Sequence, residues 1–312
     1  MRNRDTQSQR PVNTLYAEVT DRIVAELEAG RLPWVQPWGQ NTAEVGMPCN
    51  AGTGRRYSGI NVLILWATLF ERGYSSQRWL TYKQAQALGG NVRKGETGTT
   101  VCYADRFTPR GEDGEQQSLG DCEEPRKIAF LKRFTVFNVD QCEGLGSGLA
   151  AAPVPLAEDQ IVEVADDVIA ASAVDFRTGG MEAFYVPSQD LVMVPARRAF
   201  HDPINAYRTW LHELVHATGH ASRLGRDLTN PFGSAGYARE ELIAEMGSAF
   251  LCAALGIVPT VRHADYIGSW LEVLREDNRA IFRAASAAGK AADWLLERHA
   301  QACRAFAQEE AA

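Results

Sequence analysis

In Thr209-Trp-Leu-His212-Glu213-Leu-Val-His216-Ala-Thr-Gly219-His220, the pattern His-Glu-x-x-His sets two imidazoles four residues apart. On a helix, residues four apart share a face, so His212 and His216 are placed to hold one divalent cation. Glu213, one residue along, has the position of a general base toward a water that the cation activates. The chemistry implied is metal-assisted hydrolysis. A pattern this short can arise by chance, so its setting matters. Asp202-Pro203 reads as an N-cap followed by proline at the first helical position, and Gly219 as a C-cap. Leu211, Leu214, Val215 and Thr218 give an apolar stripe, so one bounded helix held against a core carries both histidines.

A catalytic site of this kind takes three protein ligands and keeps one position open. The extended pattern with a third histidine fails, because Ser222 occupies its place and His220 comes too early. The alternative is a carboxylate from a second helix. Residues Ala238 to Leu255 read as a strongly apolar helix ending at Gly256, and carboxylates embedded in it need partners. Glu241 and Glu245 lie four apart on one face. Glu241 is read as the third ligand and Glu245 as the group behind a ligating histidine, with the two roles exchangeable. Glu240, on another face, is read as a solvated charge. Two imidazoles and a carboxylate suit zinc first and manganese second.

The elements around these helices define an α+β protein. Leu15, Val19, Ile23 and Leu27 place a helix at about residues 12–29, after a disordered start over residues 1–11. A second apolar helix is expected over Asn61 to Arg72, a short one over Thr81 to Leu88, and strands over Thr99 to Arg106 and Lys127 to Asn138. Residues 110–126 read as a polar hairpin tip. A Gly- and Pro-rich linker over residues 144–156 separates an N-terminal mixed α/β domain, 12–143, from a C-terminal domain, 157–307. The C-terminal part offers a helix at about Asp159 to Ser172 and a hairpin, Glu182 to Val186 with Leu191 to Val194, before the two motif helices. That is the layout of a thermolysin-like core. Leu191 to Val194 is expected to be an edge strand able to pair with an extended peptide.

The formal net charge of −7 hides an asymmetry. Residues 1–150 hold 18 Lys+Arg against 17 Asp+Glu, and residues 151–312 hold 14 against 22, so the halves carry +1 and −8. Asn50 to Arg110 alone has nine basic and three acidic residues, a local +6. Basic and aromatic residues interleave there: Arg55-Arg56-Tyr57 with Asn61 nearby, Arg78-Trp79, Tyr82-Lys83 and Arg93-Lys94, with Trp34 and Trp38 upstream. Cationic side chains beside aromatic faces are what single-stranded nucleic acid needs, although the same residues could equally be core and a solvated face. The six cysteines are scattered, with no pairing or zinc-knuckle pattern. No apolar run is long enough for a membrane span and Met1 to Arg10 lacks a signal-peptide core, so a cytoplasmic protein with no membrane partner is expected.

Several longer stretches resemble a known family. They are Gly54-Arg-Arg-Tyr57-Ser-Gly59-Ile-Asn61, Trp79-Leu-Thr-Tyr82-Lys-Gln-Ala and Val92-Arg-Lys-Gly95-Glu in the first half. In the second half they are Tyr185-Val-Pro187 with Asp190-Leu-Val-Met-Val-Pro195, the His212 to His220 motif, and Tyr237-Ala-Arg-Glu-Glu241-Leu-Ile-Ala-Glu245. Over nearly its whole length the chain is similar to the ArdC-type antirestriction proteins of conjugative plasmids. The resemblance implies an N-terminal single-stranded-DNA-binding domain, also found in plasmid primases, and a C-terminal zincin-like metallopeptidase domain. It implies a protein that shields incoming single-stranded DNA from restriction, with a protein substrate in the recipient cell if the metal site is active. In such a site Tyr237 or His220 would donate to the oxyanion. The alternative is a DNA-binding shield whose metal domain does no proteolysis.

Overall fold

A computed structural model of the chain describes residues 15–36, 38, 43, 45–107, 128–150, 157–260 and 266–310. The expectations for residues 1–11, for the 110–126 insertion and for residues 151–156 of the linker lie outside the described residues.

The four-residue apolar spacing makes α1 (Leu15–Glu28), which buries Leu15, Thr20, Ile23 and Leu27. After β1 (Cys49–Asn50) comes α2 (Ile60–Arg72), apolar on most sides and stopped by left-handed Gly73. Next are β2 (Arg78–Leu80), α3 (Tyr82–Ala87) and β3 (Asn91–Val92), with Thr81 and Gln84 closing a capping box on α3. Two long strands, β4 (Thr99–Phe107) and β5 (Ile128–Asn138), pair antiparallel from Thr99 opposite Val136 to Phe107 opposite Ile128. The sheet order is β1-β2-β5-β4, and β3 pairs separately with β6 (Cys142–Glu143). The linker range is not wholly irregular, since it contains a short helix, α4 (Ser147–Ala150).

The second half runs α5 (Glu158–Ala171), β7 (Asp175–Thr178), β8 (Phe184–Val186) and β9 (Leu191–Val194). It continues through α6 (Ile204–Thr218), α7 (Ala235–Leu255), α8 (Ile267–Glu276) and α9 (Ala280–Glu310). Here the expectation of an edge strand at Leu191 to Val194 is corrected. β9 is the middle strand of order β7-β9-β8, parallel to β7 and antiparallel to β8. Its composition explains the place, because Leu191, Val192 and Val194 are all buried and the centre of a small sheet is where they are covered on every side. β8 holds the edge. The third strand, β7, escapes a hydrophobicity reading because Phe176 is its one apolar residue and Asp175 and Arg177 pair with each other.

One continuous core runs through both halves. Trp34 meets Trp270 edge-on with centroids 5.4 Å apart, and Trp66 of α2 meets Phe250 of α7 at 5.7 Å. Thr20 Oγ1 of α1 donates to the Asn278 carbonyl at 2.7 Å, tying α1 to the turn before α9. Among the described residues, no helix is long and apolar enough to cross a membrane.

Candidate metal centre

The approach of α6 and α7 decides the centre. At Gly247 a Cβ would stand 2.8 Å from Val215 Cγ1, so glycine lets the two helices close to near contact. α6 starts one residue later than expected. Pro203 is its N-cap, while Asp202 Oδ1 still accepts the Ile204 N–H at 3.2 Å. It stops at Gly219, which is right-handed here (φ −74°). The reason for glycine there is space: a Cβ would lie 2.9 Å from Arg226 Nη2. α7 begins three residues before the expected start, capped by Ser234, whose hydroxyl accepts the Tyr237 N–H at 3.1 Å. Tyr237 is thereby in its first turn.

These helices bring together His212, His216 and Glu241. One ligand atom from each lies within 4.8 Å of the other two. His212 Nε2 and His216 Nε2 are 3.2 Å apart, and each is 3.5 Å from an oxygen of Glu241. Donors about 2.0–2.2 Å from a tetrahedral cation stand about 3.4 Å from one another, so the set fits one divalent ion. The other ring nitrogens face carboxylates. His212 Nδ1 is 3.7 Å from Glu245 Oε1, and His216 Nδ1 is 3.1 Å from Glu240 Oε1. Within hydrogen-bond reach, Glu240 fixes which nitrogen of His216 is bare and keeps the ring oriented, while Glu245 stands farther from His212.

Glu240 is thus not the solvated charge expected of it. Both its oxygens accept from the Arg226 guanidinium, at 3.0 and 2.8 Å, and that guanidinium also donates to Thr218 Oγ1 and the Val215 carbonyl. An arginine fourteen residues upstream, on a loop, leaves no periodic mark by which the sequence could pair it with Glu240.

The electrostatics of the centre follow from this packing. Burial pulls the His216 imidazole down, but its hydrogen bond to Glu240 and the charges of Glu240, Glu241 and Glu213 outweigh that and push it up to about 9. Burial pushes the Glu241 carboxyl up, yet hydrogen bonding from His212 and the nearby charge of His216 bring it down to about 2. The Tyr237 phenol is raised far above the tyrosine range by burial and by hydrogen bonds with Tyr266 and Glu241, so it stays protonated.

A cavity of about 270 Å³ opens on the centre and is lined by Glu213, Tyr237, Tyr266 and residues of β8. Glu213 is 6% exposed. His220, expected as an oxyanion donor, does not line this cavity. Its Nδ1 bonds Ser222 Oγ at 2.8 Å and lies 3.7 Å from Asp190, since α6 has ended before it. Asp190, at φ +51°, also accepts from Tyr185 and from Arg223, which fixes β8 to the loop after α6.

The residues expected to bind nucleic acid divide. Trp34, Trp38 and Trp79 are at most 3% exposed, and they are corrected to core. Each packs edge-on against other rings, Trp38 against Trp66 and Phe70 and Trp79 against Tyr74, because a large apolar ring gains most by leaving water. Tyr57 is partly buried against the core around Trp79, and Arg78 is half-buried in β2. Asn61 clips α2 to β4 by two hydrogen bonds with the Cys102 backbone, each 2.7 Å. Arg55, Arg56, Lys83, Arg93 and Lys94 are exposed, and so is Tyr82.

Comparison with known proteins now adds to this geometry. The sequence profile of the N-terminal domain of anti-restriction factor ArdC matches residues 13–137, and that of a zincin-like metallopeptidase matches 163–287. The metal-free crystal structure of antirestriction protein ArdC from plasmid R388 is 42% identical, with a TM-score of 0.77 over 92% of this chain and 98% of that one. The chain belongs to the ArdC antirestriction family. The Mn(II)-bound R388 ArdC structure matches at the same identity with a TM-score of 0.74, and with the zincin-like domain it indicates a divalent metal for the family site. Protein y4eC of Sinorhizobium fredii (strain NBRC 101917 / NGR234) is 41% identical over 299 residues, covering 95% of both chains. The DNA primase TraC of Escherichia coli is 41% identical over 294 residues, covering 90% of this chain and 27% of the primase. The ArdC-family chain thus spans about a quarter of that primase. Its α+β class, with an ArdC N-terminal and a zincin-like part, is as expected.

Proposed function

We propose that the protein is an antirestriction factor that binds single-stranded DNA and carries a metal-dependent peptide-hydrolase site. The observation that carries the second part is the spacing of His212 Nε2, His216 Nε2 and Glu241, with Glu213 beside them on one cavity. His212, His216 and Glu241 would hold the cation, and Glu240 and Glu245 would orient the two rings. When bound, the cation supplies a Lewis acid that polarises a carbonyl and makes a water acidic enough to lose a proton near neutral pH.

Glu213 takes that proton and returns it to the leaving amine, so the water oxygen ends on the carbonyl carbon as the C–N bond breaks. The Tyr237 phenol, held protonated, donates to the carbonyl oxygen as charge gathers on it. β8, a sheet edge lining the cavity, offers its backbone to an extended chain in place of the strand first expected to do so. The substrate class is therefore an extended peptide segment. The test is peptide mapping of a protein substrate pool with wild type and Glu213→Ala. New termini with wild type and none with the variant, both holding about one equivalent of metal, are expected. Equal cleavage by the two would sink the reading.

A second reading is favoured by the primase relatives, in which the same stretch is part of a protein named for DNA chemistry. In it the chain is a DNA shield and the metal centre is structural. Conjugation into a restricting recipient separates the two. Full protection by Glu213→Ala supports the shield, and loss of protection with unchanged oligonucleotide affinity supports the hydrolase. Zinc or manganese occupancy is decided by elemental mass spectrometry of the purified protein.

A further inference from the structure

In the stretch richest in basic and aromatic residues, Asn50 to Arg110, folding covers most of the rings and leaves Tyr82 and Tyr103 exposed among the described residues. Its two tryptophans, Trp66 and Trp79, are core and Tyr57 is partly covered. Tyr103 meets cations from outside that stretch in a cleft of about 930 Å³ between the start of α2 and α9. Arg226, Arg279, Arg283 and Lys290 line it beside one carboxylate, Asp293; with the carboxylates that pair two of these arginines counted in, the cleft keeps one net positive charge, four against three. Arg226 and Arg283 are engaged with Glu240 and Asp277. Neither Arg279 nor Lys290 has a carboxylate partner among the described residues, and both are exposed.

Rings stand beside these cations. Tyr103, 56% exposed on β4, lines the cleft together with Tyr16 and Phe282, whose own rings meet edge-on at 4.7 Å. The Arg279 guanidinium lies 4.9 Å over the Tyr16 ring. Ser58 to Asn61 form another wall, and α2 starts there at Gly59 with no side-chain cap, so its first N–H groups add partial positive charge.

We infer that this cleft, walled by α9 on one side and by the start of α2 on the other, is the path of single-stranded DNA across the protein. Phosphates run along Arg279 and Lys290, and a base stacks on Tyr103. The inference rests on the single-strand reading above; it keeps Tyr103 of the Asn50 to Arg110 stretch and moves the phosphate contacts to Arg279 and to Lys290 of α9, which none of the basic-aromatic motifs includes. Charge complementarity and exposed rings together favour this occupant. An acidic peptide would use the cations and leave Tyr103 without a partner.

Fluorescence anisotropy of the full chain with a labelled oligo-dT, over a salt series, tests it. Arg279→Glu combined with Lys290→Glu should weaken binding at least tenfold. It should also flatten the dependence of log K on log salt by about 1.4, two single-strand phosphate contacts at about 0.7 each. Tyr103→Ala, which changes one exposed ring and no charge, should weaken binding about fivefold or more and leave the slope in place. Arg55→Glu, Arg93→Glu and Lys94→Glu together should have a smaller effect than the Arg279 and Lys290 pair. Binding by the Arg279→Glu, Lys290→Glu double variant with wild-type affinity and slope overturns the inference while leaving the single-strand reading intact. Failure of wild type to bind oligo-dT overturns both. Displacement of oligo-dT by poly-glutamate at equal charge, with Tyr103→Ala silent, reassigns the cleft to acidic chains.

Discussion

Glu240 Oε1 stands 3.1 Å from His216 Nδ1, on the side of the ring away from His212 and Glu241. It makes Glu240 the positioning residue for His216. Glu240→Gln keeps an acceptor but removes the charge, and Glu240→Ala removes both. Metal affinity should fall about 10- to 100-fold in the alanine variant and less in the glutamine variant, measured by competition with a chelator dye. Equal affinity in all three proteins would mean that Glu240 does no more than anchor Arg226.

Removing the cation leaves two imidazoles and a carboxylate crowded together with little water. EDTA should lower the melting temperature of wild type, and His212→Ala should start low and not respond, because a cation that binds only the folded chain stabilises it by mass action. Differential scanning fluorimetry with and without chelator measures this. An identical EDTA response in His212→Ala would place the cation elsewhere.

Gly247 faces Val215 with no room for a side chain. Gly247→Ala should cost about 1–3 kcal/mol by urea unfolding, and Gly247→Val more, since the helix pair must part to admit the added carbons. Because α6 and α7 carry the three candidate ligands, both variants should also lose metal affinity in the same order.

Trp34 has been placed in the core, where truncation leaves a cavity beside Trp270. Trp34→Ala should destabilise by about 3–5 kcal/mol and leave the oligo-dT affinity of the folded fraction unchanged. A stacking tryptophan would give the opposite pattern, with stability kept and affinity lost.

The Arg223 guanidinium hydrogen-bonded to Asp190 holds its carboxyl below the usual aspartate range, although burial works against it. A carboxyl lowered on folding stabilises above its unfolded value and loses that contribution as pH falls through the folded one. Asp190→Asn, which also tolerates a left-handed backbone, should melt below wild type at pH 7. The gap should begin to shrink below about pH 4. A gap constant from pH 7 to pH 3 would show that the charge contributes nothing.

What the sequence disclosed follows from the range of the forces involved. Local signals, such as the His212 and His216 spacing, the Thr81 cap and the stop at Gly256, depend on neighbours within a turn, and they are found where expected. What was missed depends on distant residues. Glu240 is a partner of His216 because Arg226 folds back over Gly219, and β9 is central because the polar strand β7 arrives beside it. The tryptophans mislead for a related reason: composition alone cannot tell a ring that stacks on a base from one that packs edge-on against Trp270.

The contact of Trp34 with Trp270 has a consequence for how such chains are inherited. A cut between the two profile matches would leave each piece with half of a shared interior and an aromatic wound on its surface. Recombination that moved only one piece would thus give an insoluble product, so the block is expected to pass between genes whole. The match to the primase, which takes in 90% of this chain at once, has that form.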